Sequence, residues 1–313
     1  MMGKYQNLIL KLAITPFSLL RKMIGKCIIF FFVLVFRLLP IDFSVSVVEK
    51  SKFYEQLDYK KKKIRMKIDS LTQLDRTKGC KKEPETVKWI EEFIKTDDVF
   101  YDIGANVGAY SLICSAHNEG LCRIYSFEPS FSTYSALCEN ILINGYNDNI
   151  IAFPVILSNE TKLKKFFYSD TSPGSASHSI DLKLSYSNVI KDNQNPAQVT
   201  TINEKSRIFN FIESFRLDDL ISLFNLPKPN HMKIDVDGHE LEVLMGCENL
   251  LDSYEMQSIL IEIDKTNSEY PKIFEILKQK NFEVVSVHPH GDGIISNYIY
   301  TKVERQNRTT TMK

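Results

Sequence analysis

The sequence has 313 residues, with 39 basic and 39 acidic side chains and a formal net charge of zero. Hydrophobic residues make up 43% and charged residues 25%, which is typical of globular proteins and excludes a disordered or fibrous chain. The neutral total conceals an uneven distribution, because residues 1–70 contain 14 Lys and Arg but only 5 Asp and Glu. This pattern predicts a basic arm attached to a mildly acidic body.

An apolar run lies inside the basic arm. Residues 27–36 read CIIFFFVLVF, with Lys26 before them and Arg37 after them. Ten helical residues span about 15 Å, which is half the thickness of the hydrocarbon core of a bilayer. We therefore predict that residues 1–67 associate with an anionic membrane surface through an interfacial helix. The alternative is a helix that packs against its own domain or against a partner.

The six cysteines and the N-terminus indicate where the protein resides. None of the cysteines forms a Cys-x-x-Cys pair, so no structural zinc site and no other metal site is predicted. Most of them lie in apolar stretches, where cysteine acts as a small hydrophobic residue, and this favours free thiols in a reducing compartment. Since no signal-peptide cleavage site follows the apolar run, we predict a cytoplasmic protein.

From residue 84 onward, short apolar runs alternate with amphipathic stretches of helical period. This alternation predicts an α/β fold, in which a mostly parallel sheet is covered by helices on both faces. The predicted strands are residues 99–103, 122–127, 150–157, 231–236, 258–263, 282–287 and 294–300. The predicted helices are residues 84–94, 107–117, 131–143, 218–224, 240–251 and 269–280. The last two strands follow each other directly and predict one antiparallel edge strand.

A polar stretch interrupts the alternation at residues 158–205. It contains Ser175, Ser177 and His178. A segment of this length inside a compact domain is usually a functional loop or a set of short hairpins. We therefore expect it to shape a ligand pocket.

The loop after the strand at residues 99–103 is typical of a ligand-binding turn. It reads Asp102-Ile-Gly104-Ala-Asn106-Val-Gly108 and leads into a helix. Glycine permits a close approach of the backbone to a ligand, and the following helix directs free N–H groups to the same place. Asp102 is a candidate partner for a ligand amine, the alternative being a cap for the turn. The third glycine of a dinucleotide loop is missing, which favours S-adenosylmethionine over a nicotinamide cofactor.

The next strand ends in an acid. Glu128 lies 24 residues after Gly104, and an acid at this place can bind the ribose hydroxyls of an adenosyl cofactor. The alternative is a surface acid before a turn. The spacing and the position at the end of a strand together favour ribose binding.

A second cluster of titratable residues follows the strand at residues 231–236. It reads His231-Met-Lys-Ile-Asp235-Val-Asp237-Gly-His239-Glu240. A carboxylate or imidazole within hydrogen-bond reach can accept the proton of a substrate hydroxyl. Asp235, Asp237 and His239 are therefore the predicted catalytic residues, the alternative being a turn and a helix cap.

Four motifs in fixed order resemble one family. They are VFYDIGANVGAYSL at residues 99–112, YSFEPS at 125–130, FRLDDL at 215–220 and KIDVDGHE at 233–240. Together they resemble the FkbM family of S-adenosylmethionine-dependent methyltransferases over residues 85–290. The resemblance implies a Rossmann-like, seven-stranded class I methyltransferase fold. It also implies O-methylation of a hydroxyl group on a saccharide or on another small polar or natural-product acceptor.

The resemblance also implies roles for individual residues. The methionine part of the cofactor would contact Asp102, Gly104, Asn106 and Gly108. Glu128 would bind the ribose, and residues 235–240 would line the transfer site. The sequence departs from the family at Asp237, where Glu is more usual, so the carboxylate reaches less far by one methylene.

We predict three regions in the chain. Residues 1–80 are an apolar and basic extension, residues 81–303 the methyltransferase domain and residues 304–313 a polar tail. The alternatives to a methyltransferase are a nicotinamide-dependent oxidoreductase and a membrane-tethered scaffold without catalysis. Nucleic acid is not predicted as a partner, because the mildly acidic body lacks the basic surface that phosphate contacts need.

Overall fold

The computed structural model describes residues 23–180 and 208–303. Residues 1–22, 181–207 and 304–313 lie outside the described residues. The start of the basic arm, the second half of the polar stretch and the predicted polar tail therefore receive no structural account.

The chain divides into two compact units, Met1–Lys52 and Phe53–Lys313. In the first unit, residues 23–38 form helix α1 and Ile41–Lys50 form helix α2. None of the helices within the described residues combines the length and the apolar character that crossing a bilayer requires. The predicted contact with a membrane surface is not tested by this finding and stays a prediction.

The second unit contains a seven-stranded sheet, a three-stranded sheet and a two-stranded hairpin. Its strands are β1 (Phe53–Gln56), β2 (Arg65–Ile68), β3 (Val99–Ile103), β4 (Arg123–Phe127), β5 (Ile150–Phe153), β6 (Ile156–Leu157), β7 (Lys162–Phe167), β8 (Phe209–Phe215), β9 (His231–Ile234), β10 (Ser258–Asp264), β11 (Phe282–His290) and β12 (Ile295–Lys302). Its α-helices are α3 (Leu71–Arg76), α4 (Gly79–Lys82), α5 (Pro84–Phe93), α6 (Ala109–His117), α7 (Phe131–Asn144), α8 (Leu217–Phe224), α9 (Glu240–Met245) and α10 (Tyr270–Gln279).

The large sheet has the order β11-β12-β10-β9-β3-β4-β5. Strands β3, β4, β5, β9 and β10 pair in parallel, whereas β12 is antiparallel to both of its neighbours. The predicted seven-stranded, mostly parallel Rossmann-like sheet is thus confirmed. The antiparallel strand does not form the edge, because the final hairpin folds β12 back against β10 and leaves β11 outermost.

Helices cover both faces of this sheet. On one face, Trp89 of α5, Leu112 of α6 and Leu137 of α7 pack with Phe100 of β3. On the other face, residues of α8, α9 and α10 pack with the alternate residues of the same strands, such as Tyr101. The core is therefore a sheet buried from both sides, which explains why β3 and β9 consist of buried residues throughout.

The strand order reverses between β3 and β9. The chain runs outward from β3 through β4 to β5, then returns to β9 on the other side of β3. At such a reversal the loops leave in opposite directions and a crevice opens beyond the carboxyl ends of the strands. The site residues predicted after β3, β4 and β9 thus lie around the same crevice.

The chain around the polar stretch differs from the prediction. A single strand is predicted at residues 150–157, but Pro154 separates β5 from β6, since proline cannot continue the ladder. Strand β6 leaves the large sheet and pairs with β8, which also pairs with β7. The first part of the predicted irregular segment, Lys162–Phe167, is therefore a strand.

The N-terminal hairpin is attached to helix α7. The side-chain amide oxygens of Asn140 and Asn144 accept the N–H groups of Lys67 and Arg65 at 2.8 and 2.9 Å. The amide nitrogen of Asn144 donates to the carbonyl of Arg65 at 2.7 Å. Sequence patterns place the extension at residues 1–80, whereas in the structure the residues from Phe53 onward belong to the same compact unit as the sheet.

Gly104 marks the closest approach between the loops after β3 and β9. Its φ is +79°, and a Cβ atom at this position would overlap the backbone carbonyl of Asp235. The N–H of Asp235 donates to the carbonyl of Ile103 at 3.1 Å, which holds the two loops together. Only glycine satisfies both the left-handed backbone and this contact.

We expect Gly104→Ala to destabilise the protein more than Gly145→Ala. Gly145 also has a positive φ of +71°, but a Cβ there meets nothing within 4 Å. Both substitutions pay about 1–2 kcal/mol for the left-handed backbone, and Gly104→Ala adds an overlap costing about 1–3 kcal/mol. Urea unfolding of the two variants measures the difference, and equal losses would contradict the close approach.

Candidate active site

One cavity of about 180 Å³ lies in the crevice beyond β3, β4 and β9. Most of the residues predicted from the sequence line it together. These are Gly104, Asn106, Glu128, Asp235, Asp237 and His239. The structure therefore brings cofactor-binding and catalytic candidates to one place, although up to 135 positions of sequence separate them.

Glu128 lies at the end of β4 and is 5% exposed. One carboxylate oxygen accepts the N–H of Asn106 at 3.0 Å, and the other accepts the N–H of Ser130 at 2.8 Å. Burial raises the pKa of Glu128 to about 7, although these two N–H groups oppose the shift. Each oxygen keeps one further acceptor position, so the carboxylate can still bind two ligand hydroxyls.

Asn106 joins the loop after β3 to the polar stretch. Its φ is +50°, and its side-chain amide donates to the carbonyl of Ser175 at 3.0 Å. Its side-chain oxygen accepts the N–H of Val107 at 2.9 Å. Asn106 therefore orders the loop that covers the cavity and also lines the cavity itself.

Two predicted residues do not line the cavity. The side chain of Asp102 is fully buried behind it and accepts a hydrogen bond from Ser111 Oγ at 2.5 Å. Gly108 precedes α6 and approaches Leu137 of helix α7 so closely that a Cβ would collide with it. Asp102 and Gly108 thus support the loop from behind, and any contact of theirs with a ligand stays a prediction.

Asp235 forms an ion pair with a buried lysine. Lys233 Nζ is 2.8 Å from Asp235 Oδ2, and Lys233 is only 1% exposed. Burial alone would raise the pKa of Asp235, but the ammonium of Lys233 holds this pKa below its usual value. Asp235 consequently remains a carboxylate, and its charge partner is already present within the protein.

Asp237 occupies a left-handed turn with φ +54°. Its Oδ2 atom accepts the N–H of Ser177 at 2.7 Å, so the polar stretch closes over this side of the cavity. Burial and the neighbouring charge of Asp235 raise the pKa of Asp237 to about 6. A carboxylate that titrates near this pH is a suitable proton acceptor under physiological conditions.

His239 and Glu240 make contacts within the protein. The Nε2 atom of His239 lies 3.3 Å from Ser179 Oγ and 3.4 Å from the N–H of Ile180. Glu240 Oε1 accepts the N–H groups of Val236 and Gly238, both at 3.1 Å. Glu240 therefore stabilises the turn after β9.

His231 belongs to the opposite end of the sheet. It begins β9, and its ring nitrogens lie 2.7 Å from Ser258 Oγ and 3.2 Å from Asp98 Oδ2. The sequence placed it among the titratable residues of the site, but the length of a strand separates it from the carboxyl end.

Several lining residues are not among the predicted site residues. Arg76, Lys82 and Glu83 come from α3, α4 and the residue after α4, and they form one wall of the cavity. These three residues precede all the recognised motifs, so the sequence contained no pattern that indicated this role. His178, from the polar stretch that the sequence predicts to shape a ligand pocket, also lines the cavity, and its buried Nε2 atom has no hydrogen-bond partner among the described residues.

Glu262 is another acid of the cavity wall, at the end of β10. Burial and the nearby carboxylates of Asp235 and Glu83 raise its pKa to about 9. Its Oε2 atom lies 3.7 Å from His290 Nδ1. Several carboxyl groups therefore line the cavity. Such a lining suits a ligand that carries positive charge and hydroxyl groups.

Residues 102–284 match the family described as the Methyltransferase FkbM domain. The chain is 27% identical over 203 residues to the hexuronic acid methyltransferase AglP of Haloferax volcanii, covering 64% of this chain and 70% of that protein. It is 23% identical over 202 residues to methyltransferase sdnD of Sordaria araneosa, covering 58% of this chain and 73% of that protein. Among solved structures, an FkbM methyltransferase from Methylobacillus flagellatus aligns with a TM-score of 0.44 and 13% identity, covering 66% of this chain and 44% of that one.

We expect Glu262→Gln to stabilise the protein at pH 8 but not at pH 5. The pKa of Glu262 rises from 4.5 to about 9, so the folded state binds this proton more tightly than the unfolded state. The free energy of unfolding therefore falls as the pH rises between these two values, and glutamine removes the effect. Thermal unfolding at both pH values measures it.

The exposed Glu275→Gln on α10 is the matched control, and it should change the unfolding temperature little at either pH. A loss of stability of Glu262→Gln at pH 8, or an equal gain at both pH values, would contradict the raised pKa.

Proposed function

Because the chain belongs to the FkbM methyltransferase family and S-adenosylmethionine is its expected cofactor, we propose that it methylates a hydroxyl group of a saccharide or of another small polar acceptor. The observation that carries this proposal is the shared cavity, which both the buried Glu128 and Asp237 line. Neither a nicotinamide oxidoreductase nor a non-catalytic scaffold is supported by a family match of this kind.

The lining of the cavity fits the cofactor. S-adenosylmethionine carries a sulfonium and an ammonium group, and the carboxyl groups of Glu128, Asp235, Asp237 and Glu262 surround the space. Glu128 would accept hydrogen bonds from the ribose hydroxyls, since each of its oxygens has one acceptor position left. Gly104 and Asn106 would contact the methionine part from the loop after β3.

When bound, the cofactor supplies an electrophilic methyl group on a positively charged sulfur. The residues of this chain have to hold the acceptor oxygen in line with that group and accept its proton. Asp237 is the best candidate, because among the described residues only one of its oxygens accepts a hydrogen bond, from the N–H of Ser177. Asp235 is neutralised by Lys233, and the Nε2 atom of His239 faces Ser179 and Ile180.

Two observations support a sugar as the methyl acceptor. The relative from Haloferax volcanii is named for its action on hexuronic acid, which supports a sugar as acceptor. Sugars present several hydroxyl groups, and the Nε2 atom of His178, which has no partner within the described part of the chain, can hydrogen-bond one of them. His178 is expected to be neutral there, because burial lowers its pKa to about 4.

We expect Asp237→Asn to reduce the rate of methyl transfer by roughly a hundredfold or more, because the proton acceptor is lost. Its affinity for S-adenosylhomocysteine should change far less. Glu128→Gln should show the reverse, with weakened binding as its main defect. Transfer of labelled methyl groups to fractionated cell glycans and calorimetric binding measure the two effects.

Asp148→Asn is the control, since Asp148 is exposed in the loop before β5, away from the cavity. Equal effects of Asp237→Asn and Glu128→Gln on binding would contradict the two roles.

We also propose that the first unit contacts a membrane surface. In helix α1 the side chains of Phe30, Phe31 and Phe32 are 57–70% exposed, and the segment that contains them is basic. Apolar side chains beside positive charge suit the interface of an anionic bilayer.

The full chain should cosediment with vesicles of phosphatidylcholine and phosphatidylserine, and binding should weaken at high salt. A chain lacking residues 1–52 should remain in the supernatant. Identical sedimentation of the two chains would contradict a membrane contact through this unit.

A further inference from the structure

Arg76 is a cation beside an acidic cavity. It ends helix α3 and lines both the main cavity and a smaller recess beside it. Its Nε–H group donates to the carbonyl of Gly174 at 3.1 Å. Among the described residues, no carboxylate forms an ion pair with its terminal nitrogens. Arg76 nevertheless lies close enough to three carboxyl groups for its charge to affect their pKa values. It opposes the rise that burial causes at Glu128 and Asp237, and it contributes to the lowered pKa of Asp235.

The recess beside the cavity is formed by α3, α4 and the loop after β3. Arg76, Lys82 and Glu83 line one side, and Gly104 to Val107 line the other. Lys82 is more than half exposed, and its Nζ atom lies 3.5 Å from Glu83 Oε1. Arg76 and Lys82 thus both line the recess where the loop after β3 borders the cavity. The recess is also lined by Asp75, Glu83, Lys233 and Asp235.

The backbone of this loop has no donors left for an anion. The N–H groups of Gly104 and Ala105 both donate to the carbonyl of Phe127. The N–H of Asn106 donates to Glu128, that of Val107 to the Asn106 side chain, and that of Gly108 to Ala105. The free N–H groups that the sequence predicts belong to the first turn of α6, after this loop, and stay a prediction. An anionic ligand group beside residues 104–108 must therefore be recognised by side chains.

We propose that Arg76 and Lys82 bind a carboxylate group in this recess. The planar fork of a guanidinium matches the two oxygens of a carboxylate, and Lys82 adds a second positive charge. Under the proposed function this carboxylate has two sources: the α-carboxylate of the cofactor, or the acid group of an acidic sugar. Both cationic residues precede the family match at residues 102–284, so the N-terminal segment completes the site.

The test compares ligands that differ only in this group. S-adenosylhomocysteine and its decarboxylated analogue are titrated calorimetrically into the full-length protein and into Arg76→Gln and Lys82→Gln. Glutamine retains a donor for the Gly174 carbonyl but removes the charge. Loss of a charge-assisted contact should weaken S-adenosylhomocysteine by roughly tenfold or more in Arg76→Gln. The decarboxylated analogue should bind all three proteins alike.

A second arm of the experiment tests whether the carboxylate belongs to the sugar acceptor. Glucuronate is titrated into the proteins saturated with S-adenosylhomocysteine. If the acid of the sugar occupies the recess, Arg76→Gln should lose glucuronate binding while its affinity for S-adenosylhomocysteine is unchanged. Either selective loss supports the carboxylate site and identifies its source. Arg76→Lys, which keeps the charge but not the fork, should recover part of the affinity.

Arg123→Gln is the matched control, because Arg123 is exposed at the start of β4, at the opposite end of the sheet. It should bind every ligand like the unmodified protein. Equal weakening of both adenosyl ligands in Arg76→Gln, or no change with any ligand, would overturn the carboxylate site. Failure of the unmodified protein to bind S-adenosylhomocysteine would instead contradict the proposed function, and the carboxylate site with it.

Discussion

The site depends on the contact between Gly104 and the backbone of Asp235. Because nothing larger than a hydrogen atom fits there, the loops after β3 and β9 meet directly above the ends of their strands. The N–H of Asn106, two residues further along, then donates to the carboxylate of Glu128, and Asp237 lines the same cavity. A left-handed glycine thus allows three strand ends to surround one cavity.

Enclosure determines the chemistry of the cavity. Carboxyl groups that would be acidic in water are buried beside one another, and the pKa values of Glu128, Asp237 and Glu262 rise accordingly. Lys233 neutralises one of the acids from below the cavity. Such a site opposes folding to some extent and favours a ligand that brings positive charge, as an adenosyl sulfonium does. The acids differ in their hydrogen-bond and charge partners, and their proposed roles follow from these partners more than from their positions in the sequence.

The sequence predicted the sheet and most of the site because both are encoded locally. Apolar runs such as Val99–Ile103 define strands, and the acids that follow them must lie at the carboxyl edge. Patterns of spacing could not show that Asp102 turns behind the cavity, since packing decides which face of a strand meets the ligand. They could not show that Arg76 joins the wall either, because helix α3 reaches the cavity only through tertiary packing. Strand β8 lacked a clear alternating pattern, and its place depends on pairing with β6 and β7.

A crystal structure of the protein with S-adenosylhomocysteine would show whether Glu128 and Asp237 serve one ligand. We expect the ribose hydroxyls to lie within about 3.2 Å of the Glu128 carboxylate, with the sulfur directed toward Asp237 in the same cavity. Adenosine bound away from Glu128, or a sulfur atom on the far side of the sheet from Asp237, would contradict it.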